Sequence, residues 1–419
     1  MAMNMDERYM NAAERLAAER MNGDSILNCI PVFNTTAPWD FYDAGDGAIL
    51  FMYNGVSEAD YEGYCAEMVQ AGFTEYASNF IGENQYKTFV KDTLTVDAWR
   101  IGYSSEMRVT IQDHIPLIPK VMPCEENGKV QSALVALGGH GDHPGMTGME
   151  FVMRLENGGF IVMDGGADSR MWENTYRIMK EMALDPEHIV IESWIFTHSH
   201  DDHIAAFTQF TEAYETLRGQ VTLKNVIANF ACPEQAGKQG LDWSDALIRK
   251  AMKEVFPDVP FYKPHPGNEF YFPGLRAEIL GTHESFTGTT DGFPYYYNAC
   301  NLLIKATIAG QVIMFEGDND ARNNVILGKT YGDYLKCDIL QADHHGNFGG
   351  VVEVNELFSP PVILFCNYYS EIPGYFEADY NQTLLQGPNF KEYVVTDYRA
   401  HTMMLPYIPG TSTSELLQK

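Results

Sequence analysis

Hydrophobic and polar positions alternate with a short period in the first part of the chain. Between residues 40 and 115, runs such as YKTFVK, TLTVDAWRIG and MRVTIQDH are typical of an antiparallel sheet. The stretch SEADYEGYCAEMVQAGF predicts one helix, with Ser57 as its N-cap and Gly72 as its end. We therefore predict a small α+β domain over residues 40–118, preceded by an N-terminal helical segment over residues 1–39.

Longer apolar runs follow a proline-containing linker, which we predict over residues 119–129. HIVIESWIF leads into the helical stretch DHIAAFTQFTEAYETLR, and a second group of strands runs from CNLLIKATIAGQVIMFEGDND to PVILFCNYY. Strands that alternate with helices in this way favour two sheets covered on their outer faces by helices. Residues 130–419 are therefore predicted to form an α/β domain.

The composition is that of a globular chain, with 45% hydrophobic residues and a formal net charge of −29. A surface this acidic repels phosphate backbones, and no cluster of lysine and arginine offsets it, so nucleic acid is disfavoured as a partner. The seven cysteines are scattered without a CxxC pair, which favours a reducing compartment. No apolar run is long enough for a membrane span or a signal peptide, so we expect a cytoplasmic protein.

The strongest chemical signal is the stretch THSHDDH, which directly follows an apolar strand. His198 and His200 alternate along the strand end, so both imidazoles point the same way. Asp202 and His203 follow at the turn into the next helix, where they face a second point nearby, and Asp201 is expected to be a bystander. Imidazole nitrogen and carboxylate oxygen are ligands for zinc, iron or manganese. A solvated turn is the alternative, but four residues at this spacing favour a metal site.

With three further motifs, these residues resemble the metallo-β-lactamase superfamily, whose members share an αββα sandwich. MDGG at 163–166, FEGDND at 315–320 and DHHG at 343–346 stand in the order of that superfamily, and the resemblance spans about residue 130 to the C-terminus. ILGTHE, NACNLLIK, HHGN and VVTDYRAH are similar to motifs in the hydrolase domains of DNA-uptake competence proteins and in phosphorylcholine esterases. Glu284 stands where those relatives have proline, and HHGN replaces their HHGS.

The resemblance implies two divalent metal ions that share the carboxylate of Asp318. Each ion would have three further ligands: His198, His200 and His283 for the first, and Asp202, His203 and His345 for the second. Zinc is the expected metal, with Mn²⁺ and Fe²⁺ as alternatives.

The same resemblance implies the catalytic residues, which we expect to be Asp202, Asp164 and His344. Asp164 would order the loop behind the ligands. His344 is left open between a core role and a contact to a substrate oxyanion. A water molecule between two divalent cations loses a proton near neutral pH and becomes a hydroxide nucleophile, so no serine or cysteine nucleophile is required.

These features predict a metal-dependent hydrolase of a small-molecule ester, with a phosphodiester as the favoured bond. Hydrolysis of a lactone, thioester or amide at the same site is the first alternative, and a nuclease or a di-iron redox protein is a weaker one. A homodimer through the N-terminal unit is a further hypothesis.

Other polar and aromatic residues have weaker signals. His140 and His143 lie in GGHGDHPGMTG, which is either a glycine hairpin or a substrate-facing loop that carries a proton donor. Phe348, three residues after His345, is a candidate to line the pocket. The remaining residues considered are expected to be structural or to pack at the rim: His114, His188, His265, His401, Tyr295, Tyr297, Tyr368 and Tyr369.

Overall fold

The computed structural model describes residues 16–17, 19–21, 25–125, 128–138, 148–231, 243–287 and 297–418. The chain divides into two compact units, Met1–Leu117 and Ile118–Lys419. Of the helical segment predicted over residues 1–39, residues 1–15 lie outside the described part, a short 3-10 helix covers Ile26–Asn28, and residues 31–38 form no helix.

The first unit is an antiparallel sheet packed on one helix. Its elements are β1 (Trp39–Asp43), β2 (Ile49–Tyr53), α1 (Glu58–Gln70), β3 (Thr74–Ile81), β4 (Asn84–Lys91), β5 (Leu94–Ile101) and β6 (Glu106–Asp113). The strand order is β1-β2-β6-β5-β4-β3. Ser57 caps α1 as predicted, in a reciprocal capping box with Asp60, and Gly72 follows the helix with a φ of +90°. The predicted antiparallel sheet is therefore confirmed.

The second unit begins at Ile118 and takes in the predicted linker: the amide of Met122 donates to the carbonyl of Tyr271, and the Met122 side chain is part of this unit's core. Its strands are β7 (Ala133–Leu137), β8 (Glu150–Arg154), β9 (Phe160–Asp164), β10 (Ile189–Ile195), β11 (Val221–Leu223), β12 (Val226–Ile227), β13 (Phe261–Tyr262), β14 (Glu269–Phe272), β15 (Leu275–Gly281), β16 (Leu303–Ile308), β17 (Gln311–Phe315), β18 (Ile339–Gln341), β19 (Val362–Phe365), β20 (Glu392–Val395), β21 (Arg399–Met404) and β22 (Thr413–Leu416).

These strands form two sheets. The first has the order β13-β12-β10-β9-β8-β7-β21-β22, with β11 paired to β10, and the second has the order β14-β15-β16-β17-β18-β19-β20. The helices of this unit are α2 (Met171–Met182), α3 (Ala205–Leu217), α4 (Trp243–Glu254), α5 (His283–Phe286), α6 (Ala321–Tyr331), α7 (Val352–Phe358), α8 (Ile372–Phe376) and α9 (Asp379–Leu385).

The two sheets face each other across one apolar core. Phe151 of β8 and Phe315 of β17 meet in it with ring centroids 5.1 Å apart. The outer face of the first sheet is covered by α2, α3 and α4 through a second cluster that contains Trp194 and Phe210. On the second sheet, the Tyr331 hydroxyl of α6 donates to a carbonyl of β15. This four-layer αββα arrangement confirms the predicted fold.

The parallel strands decide where polar side chains gather. In the first sheet β9, β10 and β12 run parallel, and in the second sheet β17, β18 and β19 do so. Strand β10 is buried along its whole length, and five of its seven residues, in the sequence IVIESWI, are apolar. Because parallel strands end at the same sheet edge, the loops that contain THSHDDH, FEGDND and DHHG begin at such edges. No helix among the described residues is both long enough and apolar enough to cross a membrane.

Candidate metal centre

The loop after β10 places two pairs of ligand-type side chains next to each other. His200 keeps an extended backbone, with φ −64° and ψ 153°, and a 3-10 turn over Asp201–His203 then leads into α3. The Nε2 atom of His198 and the Nδ1 atom of His200 lie 3.0 Å apart. Both lone pairs can therefore point to one ion, as the alternation along the strand end predicts.

Ligand atoms from this loop and from the second sheet form two groups. One contains Asp202, His203, Asp318 and His345, and the other contains His198, His200 and Asp318. Within each group the candidate atoms lie within 4.8 Å of one another.

Asp318 faces both groups through different oxygen atoms. Its Oδ1 atom is 3.3 Å from Nε2 of His203 and 3.3 Å from Nε2 of His345. Its Oδ2 atom is 3.8 Å from Nε2 of His198 and 3.6 Å from Nε2 of His344. One carboxylate thus lies between two groups of candidate ligand atoms, and the role of Asp318 as a shared ligand stays a prediction.

Three buried atoms of this centre have no hydrogen-bond partner among the described residues: His203 Nε2, His345 Nε2 and Asp318 Oδ1. Buried polar atoms in native proteins are normally paired. Atoms that converge without a hydrogen bond are the donor set that a divalent cation satisfies. The residues therefore fit metal ions at this centre.

The far ring nitrogens of the histidines have partners that fix their tautomers. His203 Nδ1 lies 2.9 Å from Asp164 Oδ2, and His345 Nδ1 lies 3.1 Å from the carbonyl of Cys366. His198 Nδ1 is 3.2 Å from the hydroxyl of Thr197. An N–H that donates from Nδ1 leaves the lone pair of Nε2 facing the carboxylates, which is the arrangement that metal-ligating histidines use.

Asp164 lies behind the candidate ligands, in contact with one of them, and its role in ordering the loop stays a prediction. It is fully buried with a positive φ of 57°, and it accepts hydrogen bonds from the amide and the hydroxyl of Thr197, both at 2.7 Å. The following Gly165 and Gly166 accept from the first amides of α3. Asp164 therefore ties the strand end at Thr197 to the ring of His203.

Two consecutive histidines of the DHHG motif both reach Asp318 because the backbone is left-handed at each of them. The φ values are +45° at His344 and +59° at His345. In an extended chain, neighbouring side chains would point to opposite faces. His344 is in neither ligand group, and its side chain is 24% exposed.

His283 lies outside both groups. It is in α5, and its Nε2 atom is 3.0 Å from Oδ1 of Asn229, the residue two positions after β12. The neighbouring Glu284, which replaces the usual proline, is buried 2.7 Å from Nδ1 of His265. Burial would raise the pKa of Glu284, but the charge of His265 outweighs it and lowers that pKa to about 2. The role of His283 as a ligand stays a prediction.

Asn229 and Asn301 contact candidate site residues but were not named as candidates, although Asn301 belongs to the NACNLLIK motif. Asn301 Oδ1 accepts from the amide of Asp318 at 3.0 Å, and a Cβ at Gly317 would overlap the same oxygen atom. Gly317 has a φ of +59°, so glycine is required there for both its conformation and its space. The position of Asn301 at the start of an apolar strand was the available signal.

The remaining candidates are dispersed. Phe348 is 64% exposed, and its ring centroid is 5.6 Å from that of His344. His140, His143 and Tyr295 lie outside the described residues. Buried or partner-bound positions are found for several others: His188 beside Glu125, His265 beside Glu284, and Tyr368 in the interior.

In the metal-free protein, two histidines of the group formed by Asp202, His203, Asp318 and His345 are protonated at neutral pH. Burial opposes a charged imidazole, but the carboxylates of Asp318 and Asp202 outweigh it and raise the pKa of His345 to about 9. The pKa of His203 is raised well above its ordinary value against the same burial, by Asp318, Asp202 and Asp164. By contrast, burial holds the pKa of His198 well below its ordinary value, so that ring is neutral.

Metal binding at pH 7 is therefore expected to release about two protons, one each from His203 and His345, because a ligand imidazole must be neutral. Calorimetric titration of zinc into metal-free protein, in buffers of different ionisation enthalpy, measures this number. Release of no protons would contradict the raised pKa values.

The stability that His345 contributes to metal-free protein is complete below its unfolded pKa of about 6.5 and is lost as pH rises through about 9. The Tm of metal-free protein should fall over that interval.

Two groups of candidate ligand atoms share one carboxylate at the edge of an αββα sandwich, and this layer arrangement is that of the metallo-β-lactamase fold. No family model matches the chain. Recombination protein 2 of Haemophilus influenzae is 23% identical over 197 residues, which are 46% of this chain and 19% of that protein. The match thus spans less than a fifth of the relative's length.

Similar solved structures include the diiron beta-hydroxylase CmlA from Streptomyces venezuelae, at 12% identity and a TM-score of 0.40 over 68% of this chain and 55% of that one. A diphosphatase from the PhnP family is 12% identical, with a TM-score of 0.33 over 56% and 86% of the two chains. A metallo-beta-lactamase from Cronobacter sakazakii is 16% identical, with a TM-score of 0.30 over 62% and 94%. These similarities are distant, and the fold follows from the sheets, helices and motif order of this chain.

Proposed function

We propose that this protein is a metal-dependent hydrolase of a small-molecule ester, with a phosphodiester as the favoured bond. The observation that supports it is the carboxylate of Asp318 between two groups of ligand atoms. His198, His200 and Asp318 would hold one ion, while Asp202, His203, His345 and Asp318 would hold the other. Two divalent ions in such a site, when bound, activate water and polarise the oxygen of the bond under attack.

Zinc is the metal we propose, because four imidazole nitrogens supply most of the donors and two carboxylates supply the rest. The chain's own contribution is to keep these donors in place. Asp164 and the carbonyl of Cys366 orient His203 and His345, and Asn301 holds the turn that presents Asp318. These contacts fix the donors before the substrate arrives, so little reorganisation is needed during the reaction.

His344 is the residue we propose to contact the substrate. Its partly exposed ring lies beside Oδ2 of Asp318 without belonging to either ligand group. Burial lowers the pKa of His344, so the ring is neutral at pH 7 and has one N–H to donate. A donor at this position would stabilise the negative charge that develops on a phosphoryl or carbonyl oxygen during attack.

Replacing His344 with alanine is expected to lower kcat/KM by about 10²–10³-fold, the scale of losing one donor to a developing negative charge. The metal content should stay unchanged, because the ring is in neither ligand group. Metal analysis and steady-state kinetics on the same preparation test both statements. A matched change of the neighbouring residue, His345→Ala, should instead lower the metal content. Loss of metal from the His344 variant would overturn the assigned role.

Purified protein should hydrolyse bis-p-nitrophenyl phosphate when zinc is present and lose that activity after chelation. A panel of lactones assayed in parallel distinguishes the favoured bond from the first alternative. Metal-dependent turnover of a lactone without turnover of the phosphodiester would show that the substrate bond is a carboxylic ester and not a phosphodiester. If neither bis-p-nitrophenyl phosphate nor any lactone is turned over in a metal-dependent way, the proposed hydrolysis of these two kinds of ester is contradicted. Cytoplasmic location and a homodimer remain predictions.

A further inference from the structure

A second buried group of oxygen atoms lies beside the turns after β17 and β18, which contain Asp318 and His345. Glu316 stands two positions before Asp318, and Asp343 stands two positions before His345. Phe315 faces the core between the sheets, so alternation along β17 directs Glu316 to the opposite face, on which α6 lies. Glu316 is 1% exposed, so its carboxyl group lies inside the protein.

Four oxygen atoms here are buried without a hydrogen-bond partner among the described residues. They are both carboxylate oxygens of Glu316, Oδ1 of Asp343 and Oδ1 of Asn319. Within the described part of the chain, neither Glu316 nor Asp343 forms an ion pair with a lysine or an arginine. Every unsatisfied atom in this group is therefore an acceptor.

The hydrogen-bond network fixes the amide of Asn319 in that orientation. Asn324 Nδ2 donates to Oδ2 of Asp343 at 2.6 Å and to the carbonyl of Gly349 at 3.1 Å. The Oδ1 atom of Asn324 must then be the acceptor for Nδ2 of Asn319, at 2.9 Å. This leaves Oδ1 of Asn319 as an oxygen, and not an NH₂ group, without a partner.

Asp343, Asn319 and Glu316 are neighbours in space. Gly349 lies between the first two, since a Cβ on it would overlap both Oδ2 of Asp343 and the carbonyl oxygen of Asn319. The amide of His344 donates to the carbonyl of Gly317 at 3.0 Å, so the residues that precede them, Asp343 and Glu316, lie on adjacent turns. Two buried carboxylates without a counter-charge are costly, so the pair must take up either protons or a cation.

We propose that a hard divalent cation of the calcium or magnesium class binds among Glu316, Asp343 and Asn319, as a structural ion distinct from the two of the metal centre. Two carboxylates balance its charge, and donors that are oxygen alone suit calcium or magnesium. Such an ion would join the turn after β17 to the turn after β18. It would thereby hold Asp318 and His345 at their positions.

This proposal goes beyond the proposed function, and its test uses no activity. Protein saturated with zinc is dialysed and then unfolded by heat at constant zinc, with CaCl₂, with MgCl₂, or with KCl at matched ionic strength. We expect calcium or magnesium to raise the Tm by on the order of 5 °C above the KCl value. Metal analysis should find one calcium or magnesium ion per chain in addition to zinc.

The variant Glu316→Gln should lose most of this shift and the additional ion while it retains zinc. Glu192→Gln is the matched control, because Glu192 is equally buried and also has one unpartnered oxygen, but it lies on β10. It should keep the shift. If Glu316→Gln does not fold, Asn319→Ala replaces it, with the same expected loss.

An equal shift in Glu316→Gln and wild type would overturn the proposal, because it would show only screening of the acidic surface. A wild-type Tm that is the same in CaCl₂, MgCl₂ and KCl, with no additional ion in the metal analysis, would also overturn the proposal. It would indicate that the two carboxyl groups share a proton instead. Either result leaves the zinc-dependent turnover to be judged separately.

Discussion

Replacing Asp318 with asparagine is expected to reduce the metal content from two ions to below one and to lower hydrolysis by at least about 10³-fold. The carboxylate offers one oxygen to each ligand group, with Oδ1 near His203 and His345 and Oδ2 near His198. An amide has one oxygen and one NH₂ group, so one of the two ions would face a donor that repels it. The remaining ion would lose the shared negative charge.

Metal analysis and steady-state rates on the same preparation measure this effect. Asp201→Asn is the matched control, because Asp201 lies in the same loop and belongs to neither ligand group. It should keep both ions and nearly all activity. An Asp318→Asn protein that retains two ions and a rate within about tenfold of wild type would refute the shared site.

The sequence predicted the part of the site that depends on local geometry. His198 and His200 alternate on a strand end whose apolar residues are unmistakable, and the turn into α3 follows at once. Their convergence needs no information from elsewhere in the chain. The αββα layers were likewise predictable, since buried strands and amphipathic helices alternate and each must cover the other's apolar face.

The position of His283 could not be predicted in the same way. Its ring meets Asn229, which follows a strand of the other sheet 54 residues earlier. The polar residue after it, Glu284, is held by His265, also from a distant loop. Local sequence contains the histidine but not the partners that decide where its ring points. The left-handed backbone of His344 is a second example, because a strand pattern predicts opposite faces for neighbouring residues.

Replacing Asp164 with asparagine is expected to weaken metal binding by about 10–100-fold, the effect of losing a carboxylate behind a ligand histidine. Asp164 accepts three hydrogen bonds, from the amide and hydroxyl of Thr197 and from Nδ1 of His203. An asparagine can keep the bond to the amide, but its NH₂ group then faces the hydroxyl and the imidazole. The ring of His203 would lose the acceptor that keeps its proton on Nδ1. We also expect the free energy of unfolding to fall by about 1–3 kcal/mol, because a buried network is left partly unsatisfied.

Zinc competition with a chromophoric chelator measures the affinity, and Glu150→Gln provides the control. Glu150 pairs with Asp164 across β8 and β9 and is fully buried, and burial raises its pKa to about 8. It is therefore protonated at pH 7, where glutamine is a close neutral substitute, and zinc affinity should hardly change. Equal losses in the two variants would mean that the sheet edge tolerates no substitution. A loss confined to Asp164→Asn would show that its carboxylate acts through His203, the one ligand that it touches.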